Sequence, residues 1–379
     1  MEMSKSILVL VVTLVWCLSG INYVHGFTYD DKEVETEEGK SAMFERWRSH
    51  HKMESISAKD KKKQYDTFKA TLEHVHNTNK ANKGFKLEMN HLAGMTTQEI
   101  KSKYTGVKAP PPFKGLKADP SVPKRSRATW DEWSQQFLYR NFTDVPPSID
   151  WRARGAVTPA KMQGGCGSCY AFGATDSVEG LHAIRTGQLI ELSPQEIVDC
   201  ADIGGCDGGR VDMCFTYVKN NGGLTTMKNY PYVAKVETCN VKKEHDIAVP
   251  IGGFQQAPHG YEDDVLSAVA HQPVVFNIQT NDDFCMYKEG ILDSPCGTAI
   301  DHSVVAVGYD TAPDGTKYWI IKNSWSANWG DKGFAKMLRN APNTEGYCGL
   351  ALFAAFPTET DTGFRIGDHD PIVHSAQEL

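Results

Sequence analysis

Positive charge is scarce in this chain: 40 lysines and arginines stand against 47 acidic residues, a formal net charge of -7. That balance argues against a nucleic-acid partner, which selects basic surfaces. The one compact basic run, Lys61-Lys62-Lys63, reads as a solvated helix face. Internal repeats and low-complexity tracts are missing, which excludes a solenoid or a biased polar chain. Apolar runs long enough to cross a bilayer with confidence are missing too. The stretch Ile7 to Leu18 follows Lys5 and precedes Val24-His25-Gly26, the layout of a secretory signal over residues 1–26. Cysteine is absent from residue 27 to about residue 144. A second Cys-x-x-Cys is absent as well, which removes the other half of a compact four-ligand zinc site.

What is present divides at about Val145. Residues 27–144 are rich in Lys, Glu, His and Thr. From Ala42 to Asn79 apolar residues recur at helical spacing (Phe44, Trp47; then Tyr65, Phe68, Leu72, Val75), which predicts two helices. Met95-Thr-Thr-Gln98 offers a threonine cap for a third. Ala109-Pro-Pro-Pro-Phe113 breaks the pattern, and a polar, extended stretch runs on to Asp144. Beyond it cysteine, glycine and aromatic residues become frequent. Tyr170 to Ile184 fits a buried helix with Cys169 at its start. Ser193-Pro-Gln-Glu196 supplies a cap, an N1 proline and a capping-box glutamate for another. Strands are predicted at Pro273–Ile278, Ser303–Tyr309, Lys317–Ile321 and Gly333–Met337. Helices first and an antiparallel sheet second predict an α+β protein of two subdomains.

The chemistry gathers at Gln163-Gly-Gly-Cys166-Gly-Ser-Cys169-Tyr-Ala-Phe172. A cysteine at a helix start feels the positive end of the backbone dipole, which favours thiolate. Glycines beside it let a substrate carbonyl approach both the sulfur and nearby N–H donors. Three rival readings remain open on this stretch alone: a redox pair, half a zinc site, or two disulfide cysteines. Ten cysteines less Cys17, which leaves with the signal, make nine, so at least one thiol lacks an intramolecular partner. A cysteine nucleophile needs a base and a group to orient that base. His302 lies 133 positions after Cys169 and Asn323 lies 154 after it. A histidine and an asparagine roughly 130–150 residues downstream are what the local signature of one protease family requires.

On these motifs, residues 145–356 resemble the mature domain of a papain-family cysteine protease of the cathepsin L and plant papain branch. The resemblance implies a cysteine endopeptidase that needs no cofactor or metal, acts on protein or peptide substrates, and is made as a zymogen. It implies Cys169 as nucleophile, His302 as proton shuttle and Asn323 as the group fixing the imidazole. Gln163 and the backbone N–H of Cys169 would hold the oxyanion, Trp325 would shield the His302–Asn323 contact, and thiolate and imidazolium would form an ion pair. Implied disulfides are Cys166–Cys206, Cys200–Cys239 and Cys296–Cys348. Cys214 and Cys285 fall outside that set, with an extra bridge and two buried thiols both open.

Residues 27–144 are similar to the family's inhibitory propeptide, which fills the cleft in reverse until acid loosens it. Its E-R-F-N-I-N helix pattern falls on Asp60, Gln64, Phe68, Thr71, Val75 and Asn79, of which Phe68 and Asn79 are unchanged; of G-N-F-D only Asn90 remains. Lys124-Arg-Ser-Arg127 offers a convertase site and Asn141-Phe-Thr143 a glycosylation sequon. Alignment with the family places Arg210, Val211, Ile300, Ser303 and Phe353 around the second substrate subsite. A bulky Phe353 at its base predicts a shallow pocket preferring small or medium apolar side chains, and Arg210 at the rim favours an acidic group. Cystatin-like inhibitors, a monomeric state, and a lysosomal or extracellular destination also follow from the resemblance. Residues 357–379 read as a disordered acidic tail. Tyr170 and Ser326 depart from the family's tryptophan and glycine, and a non-catalytic binding homologue is the alternative.

Overall fold

The computed structural model describes residues 26–108, 137–140 and 144–359. The secretory signal but for Gly26, the basic site ending at Arg127, the Asn141 sequon and residues beyond Glu359 lie outside the described residues.

The first half folds as the caps dictate. Thr36 caps α1 (Glu37–His50) and Ser57 caps α2 (Ala58–Lys80), each side chain accepting from a first-turn backbone N–H. The two helices pack Phe44, Trp47 and Phe68 with ring centroids 5.2–5.9 Å apart. Thr96 and Glu99 close a reciprocal capping box at the start of α3 (Thr97–Tyr104). The retained asparagines hold turns that carry no apolar signal. Asn79 clamps Leu87 through both its N–H and its carbonyl, each bond 2.9 Å. Asn90 donates to Cys285 O at 2.8 Å, a bond into the second half of the chain. This half is not purely helical: β1 (Phe85–Leu87) pairs antiparallel with a strand of the second half.

The second half opens with β2 (Ile149–Asp150) and then α4 (Cys169–Thr186), buried over nearly all of its faces and ended by Gly187 at φ 73°. Helices α5 (Pro194–Cys200) and α6 (Val211–Asn220) pack against it around one apolar cluster that includes Tyr170, Val178, Ile197, Phe215 and Leu224. The Ser193 cap and N1 Pro194 are present, but Glu196 does not close a box. Its carboxylate is buried and takes the Thr225 N–H at 2.7 Å instead, tying α5 to the following loop.

After β3 (Gly253–Gln256) and α7 (Glu262–His271) come β4 (Val274–Ile278), the short α8 (Asp282–Cys285) and β5 (Tyr287–Leu292). Then β6 (His302–Thr311), β7 (Lys317–Lys322), β8 (Phe334–Leu338) and β9 (Ala354–Thr358) complete the sheet. Its order is β1-β5-β8-β7-β6-β4-β9-β3, with β2 on β6. The pairings are antiparallel except β5–β8, which is parallel and departs from the expected all-antiparallel sheet. Strand β9 pairs with β3 through Thr358, so Pro357 and Thr358 belong to the sheet and not to a disordered tail. The linker also departs from its polar reading: Phe137 and Tyr139 are buried, Tyr139 stacking on His271 at 4.4 Å.

Candidate active site

Cys169 is the first residue of α4 and is fully buried. Ser168, at the cap position, makes no cap bond; its hydroxyl shares a 2.6 Å hydrogen bond with Tyr232, which donates to Gln163 O at 2.7 Å. His302 begins β6, on the strand that α4 packs against. Its Nε2 lies 2.8 Å from Asn323 Oδ1, at the end of β7. With Nε2 as donor, the neutral ring leaves Nδ1 as its acceptor, and Nδ1 is buried with no hydrogen-bond partner. The Trp325 ring lies over the imidazole at 4.7 Å, and Phe284 closes another side at 6.0 Å. Gln163 is pinned at both ends of its amide. Oε1 accepts from Ser324 Oγ at 2.6 Å and Nε2 donates to Cys166 O at 2.8 Å, leaving one N–H of the amide for another acceptor.

The site is covered by the first half of the chain. Gly106 and Val107 each donate to Asp301 O at 3.0 Å, and Lys108 donates to Gly209 O at 2.9 Å. Gly209 returns a 2.8 Å bond to Gly106 O, and Val107 and Gly209 form a parallel bridge. A Cβ on Gly106 would meet Gly167 O at 1.9 Å, so only glycine fits there. Tyr104 O accepts from Trp325 Nε1 at 3.0 Å, and Lys101 Nζ lies 2.8 Å from Asp301 Oδ2. Burial under this strap pushes the Cys169 thiol up to about 12, against the pull of backbone N–H groups that include Tyr170 in the helix's first turn. Burial likewise pushes His302 down to about 4 despite its bond to Asn323. Burial thus works against both charges in the covered site, the thiolate of Cys169 and the imidazolium of His302 alike.

Three disulfides are present, Cys166–Cys206, Cys200–Cys239 and Cys296–Cys348. Cys166 is thus unavailable to Cys169 as a redox or zinc partner. Cys214 and Cys285 are separate buried thiols with no bridge between them. Of the subsite residues, Val211 and Phe353 are buried in the same apolar cluster as Tyr170, and Ile300 packs against it. Ser303 is turned away to Asn277 Oδ1 at 2.6 Å. Arg210 does not present a free cation: Asp212 takes its guanidinium through two hydrogen bonds. Tyr170 fills its tryptophan position with its hydroxyl satisfied by Gly205 O at 2.8 Å. Ser326 holds φ 69°, the left-handed form a glycine would take freely, so the loop is kept at a cost in backbone strain.

The propeptide resemblance implied that the cleft is filled by the first half, though the residues of the strap carry no local signal beyond Gly106. Sequence reasoning missed a buried ionic cluster behind the site. Lys161 Nζ contacts Asp176 Oδ1 at 2.7 Å and Glu179 Oε1 at 2.5 Å, while Lys322 Nζ contacts Asp176 Oδ1 at 3.0 Å and Thr158 Oγ1 at 2.8 Å. It joins the nucleophile helix, the Gln163 loop and the strand leading into Asn323.

A buried thiol at a helix start, beside an asparagine-held imidazole and under a strap of the same chain, defines a cysteine protease in its proenzyme form. The chain belongs to the papain family of cysteine proteases: that family's model matches residues 145–358, and the model for the cathepsin propeptide inhibitor domain (I29) matches residues 44–100. The chain is 42% identical over 356 residues to vignain of Phaseolus vulgaris, covering 92% of this chain and 95% of that one. It is also 42% identical to a KDEL-tailed cysteine endopeptidase of Arabidopsis thaliana, over 88% and 90% of the two chains. Among solved structures it resembles the proform of the ragweed pollen protease Amb a 11, with a TM-score of 0.78 and 39% identity over 89% of this chain and 100% of that one. It is a papain-like cysteine endopeptidase carrying its own inhibitory propeptide, and the non-catalytic alternative is not favoured.

Proposed function

We propose that Cys169, His302 and Asn323 carry out peptide-bond hydrolysis through a thioester. The observation that carries this reading is the 2.8 Å His302 Nε2–Asn323 Oδ1 bond, which leaves Nδ1 to take the Cys169 proton. The sulfur attacks the scissile carbonyl, and the free N–H of the Gln163 amide and the Cys169 backbone N–H hold the oxyanion. His302 then returns the proton to the leaving amine, and water, deprotonated by the same ring, releases the acid product. Opening the strap to water is what lets thiolate and imidazolium form, so removal of residues before Val145 activates the enzyme. Val211, Ile300 and Phe353 supply an apolar wall for a small or medium substrate side chain. The apolar leader supports passage through the secretory pathway, with a lysosomal or extracellular destination, and the mature enzyme is a monomer open to cystatin-like inhibitors. A cut after Arg127 and a glycan on Asn141 complete this reading.

The test is labelling with an epoxysuccinyl thiol-protease inhibitor after incubation near pH 4.5, followed by peptide mapping. Adduct on Cys169 with loss of the first half is expected; a processed chain that takes no label overturns the assignment.

A further inference from the structure

The linker carries two aromatic residues, and the surface that buries them belongs to the enzyme. We propose that β3, α7 and β9 form a docking surface for residues 137–140, and that this segment stays on the mature enzyme, the activating cut falling ahead of Phe137. The inference deepens the activation step of the reading above: of the residues before Val145, those that cover the cleft must leave and these need not.

Phe137 and Tyr139 are 5% and 2% exposed. They stand either side of Leu138 in a turn closed by the Arg140 N–H on Phe137 O at 3.2 Å. Their rings meet each other at 6.0 Å, and Phe356 of β9 meets both, at 6.1 and 5.4 Å. The Tyr139 ring lies flat on His271, the last residue of α7, with centroids 4.4 Å and planes 19° apart. Between the rings, Leu138 donates its backbone N–H to Gln255 Oε1, on β3, at 2.8 Å. The buried Gln272 gives its amide to the Tyr139 hydroxyl at 3.3 Å and to Pro357 O at 3.2 Å, which ties the phenol to β9.

All of these partners lie between residues 255 and 357, in the half of the chain that folds as the enzyme. Helices α1, α2 and α3 and the strap supply none of them. The covalent tether then decides what happens when the strap departs. A cut ahead of Phe137 leaves the segment joined through Val145 to the domain that holds it, so its docking is intramolecular and survives dilution. A cut after Tyr139 would need that stretch drawn out into another active site, and buried, hydrogen-bonded backbone resists such nicking. The basic site ending at Arg127 lies on the permitted side.

The experiment incubates the full proform near pH 4.5, labels it with the epoxysuccinyl inhibitor, and reads the first residue of the labelled chain by N-terminal sequencing and intact mass. We expect a first residue at or before Phe137. A labelled chain that begins after Tyr139 overturns the inference and leaves the protease reading intact. A processed chain without label overturns that reading, and its first residue still decides this one. In the double variant Phe137→Ala, Tyr139→Ala the first residue is expected to move to within a few residues of Val145, and the Tm of the labelled enzyme to fall by about 5 °C. An unchanged Tm overturns the inference, because the segment would then persist only for want of a protease to trim it. Should the double variant not accumulate, chymotrypsin applied to the labelled unsubstituted enzyme decides: protection at Phe137 and Tyr139 is expected, and cleavage at either as fast as in a free peptide of the same sequence overturns the docking.

Discussion

At the scale of single residues, the site is held by groups that never touch a substrate. Lys161, Asp176, Glu179 and Lys322 are nearly fully buried, and their charges balance. Burial alone opposes every one of these charges, and Asp176 is nonetheless held below the usual carboxylate range by the two lysines. Removing one member strands the others. Glu179→Ala would leave Thr158 Oγ1 and the Leu192 N–H without their acceptor and Lys161 with Asp176 alone. The expected loss is about 3–5 kcal/mol of proform stability, read from the urea midpoint at constant slope. A loss below about 1 kcal/mol would mean that water replaces the carboxylate at no strain. None of this was legible beforehand. The four residues span positions 161 to 322 and share no period or motif, whereas Cys169, His302 and Asn323 each sit in a compact local pattern.

At the scale of elements, what local chemistry dictates was readable and what pairing dictates was not. The helices of the first half declared themselves through caps and apolar spacing, and β6, β7 and β8 through alternating or continuous apolar runs. The three residues of β1 carry no such signal, and the parallel β5–β8 pair depends on a crossover that sequence order hides. The strap is the functional case. It has no regular structure beyond one bridge, and its fit depends on the absent side chain of Gly106 facing Gly167 O. Gly106→Ala is therefore expected to lift the strap while leaving α1 and α2 folded. The proform should then take the epoxysuccinyl label on Cys169 near neutral pH, several-fold faster than the unsubstituted chain. Equal labelling rates at unchanged helicity would show that the strap does not gate the thiol.

At the scale of the whole molecule, acid acts on the seam between the two halves with mixed sign. Burial holds His51 and His91 down to about 4, both in the first half. Each favours the closed form fully above its free value near 6.5, and that advantage is lost as pH falls toward 4. His74 runs the other way. Its bond to Asp283 raises its pKa, so its contribution is present in acid and lost as pH rises. Glu88, pushed up to about 7 by burial, also favours the closed form in acid. Of these groups Asp283, whose carboxyl the His74 bond holds below its usual value against burial, favours opening as pH falls, and so do the two depressed histidines. Replacing both with glutamine should move the pH of half-processing downward by about half a unit, measured by the loss of the proform band over a pH series. An upward shift or none would place the acid trigger elsewhere.

Processing also changes what kind of boundary the sheet has. While the chain is whole, β5 is an interior strand, with β1 bonded along one side and the backbone of Gly84 and Phe85 pressed against Gly290 at φ 87°. Once β1 departs, that seam becomes a rim with unpaired backbone groups, a ready template for another molecule's strand. Lys288 and Glu289 lie on that strand, and charged side chains on a bare rim are what discourages one molecule from docking edge to edge on the next.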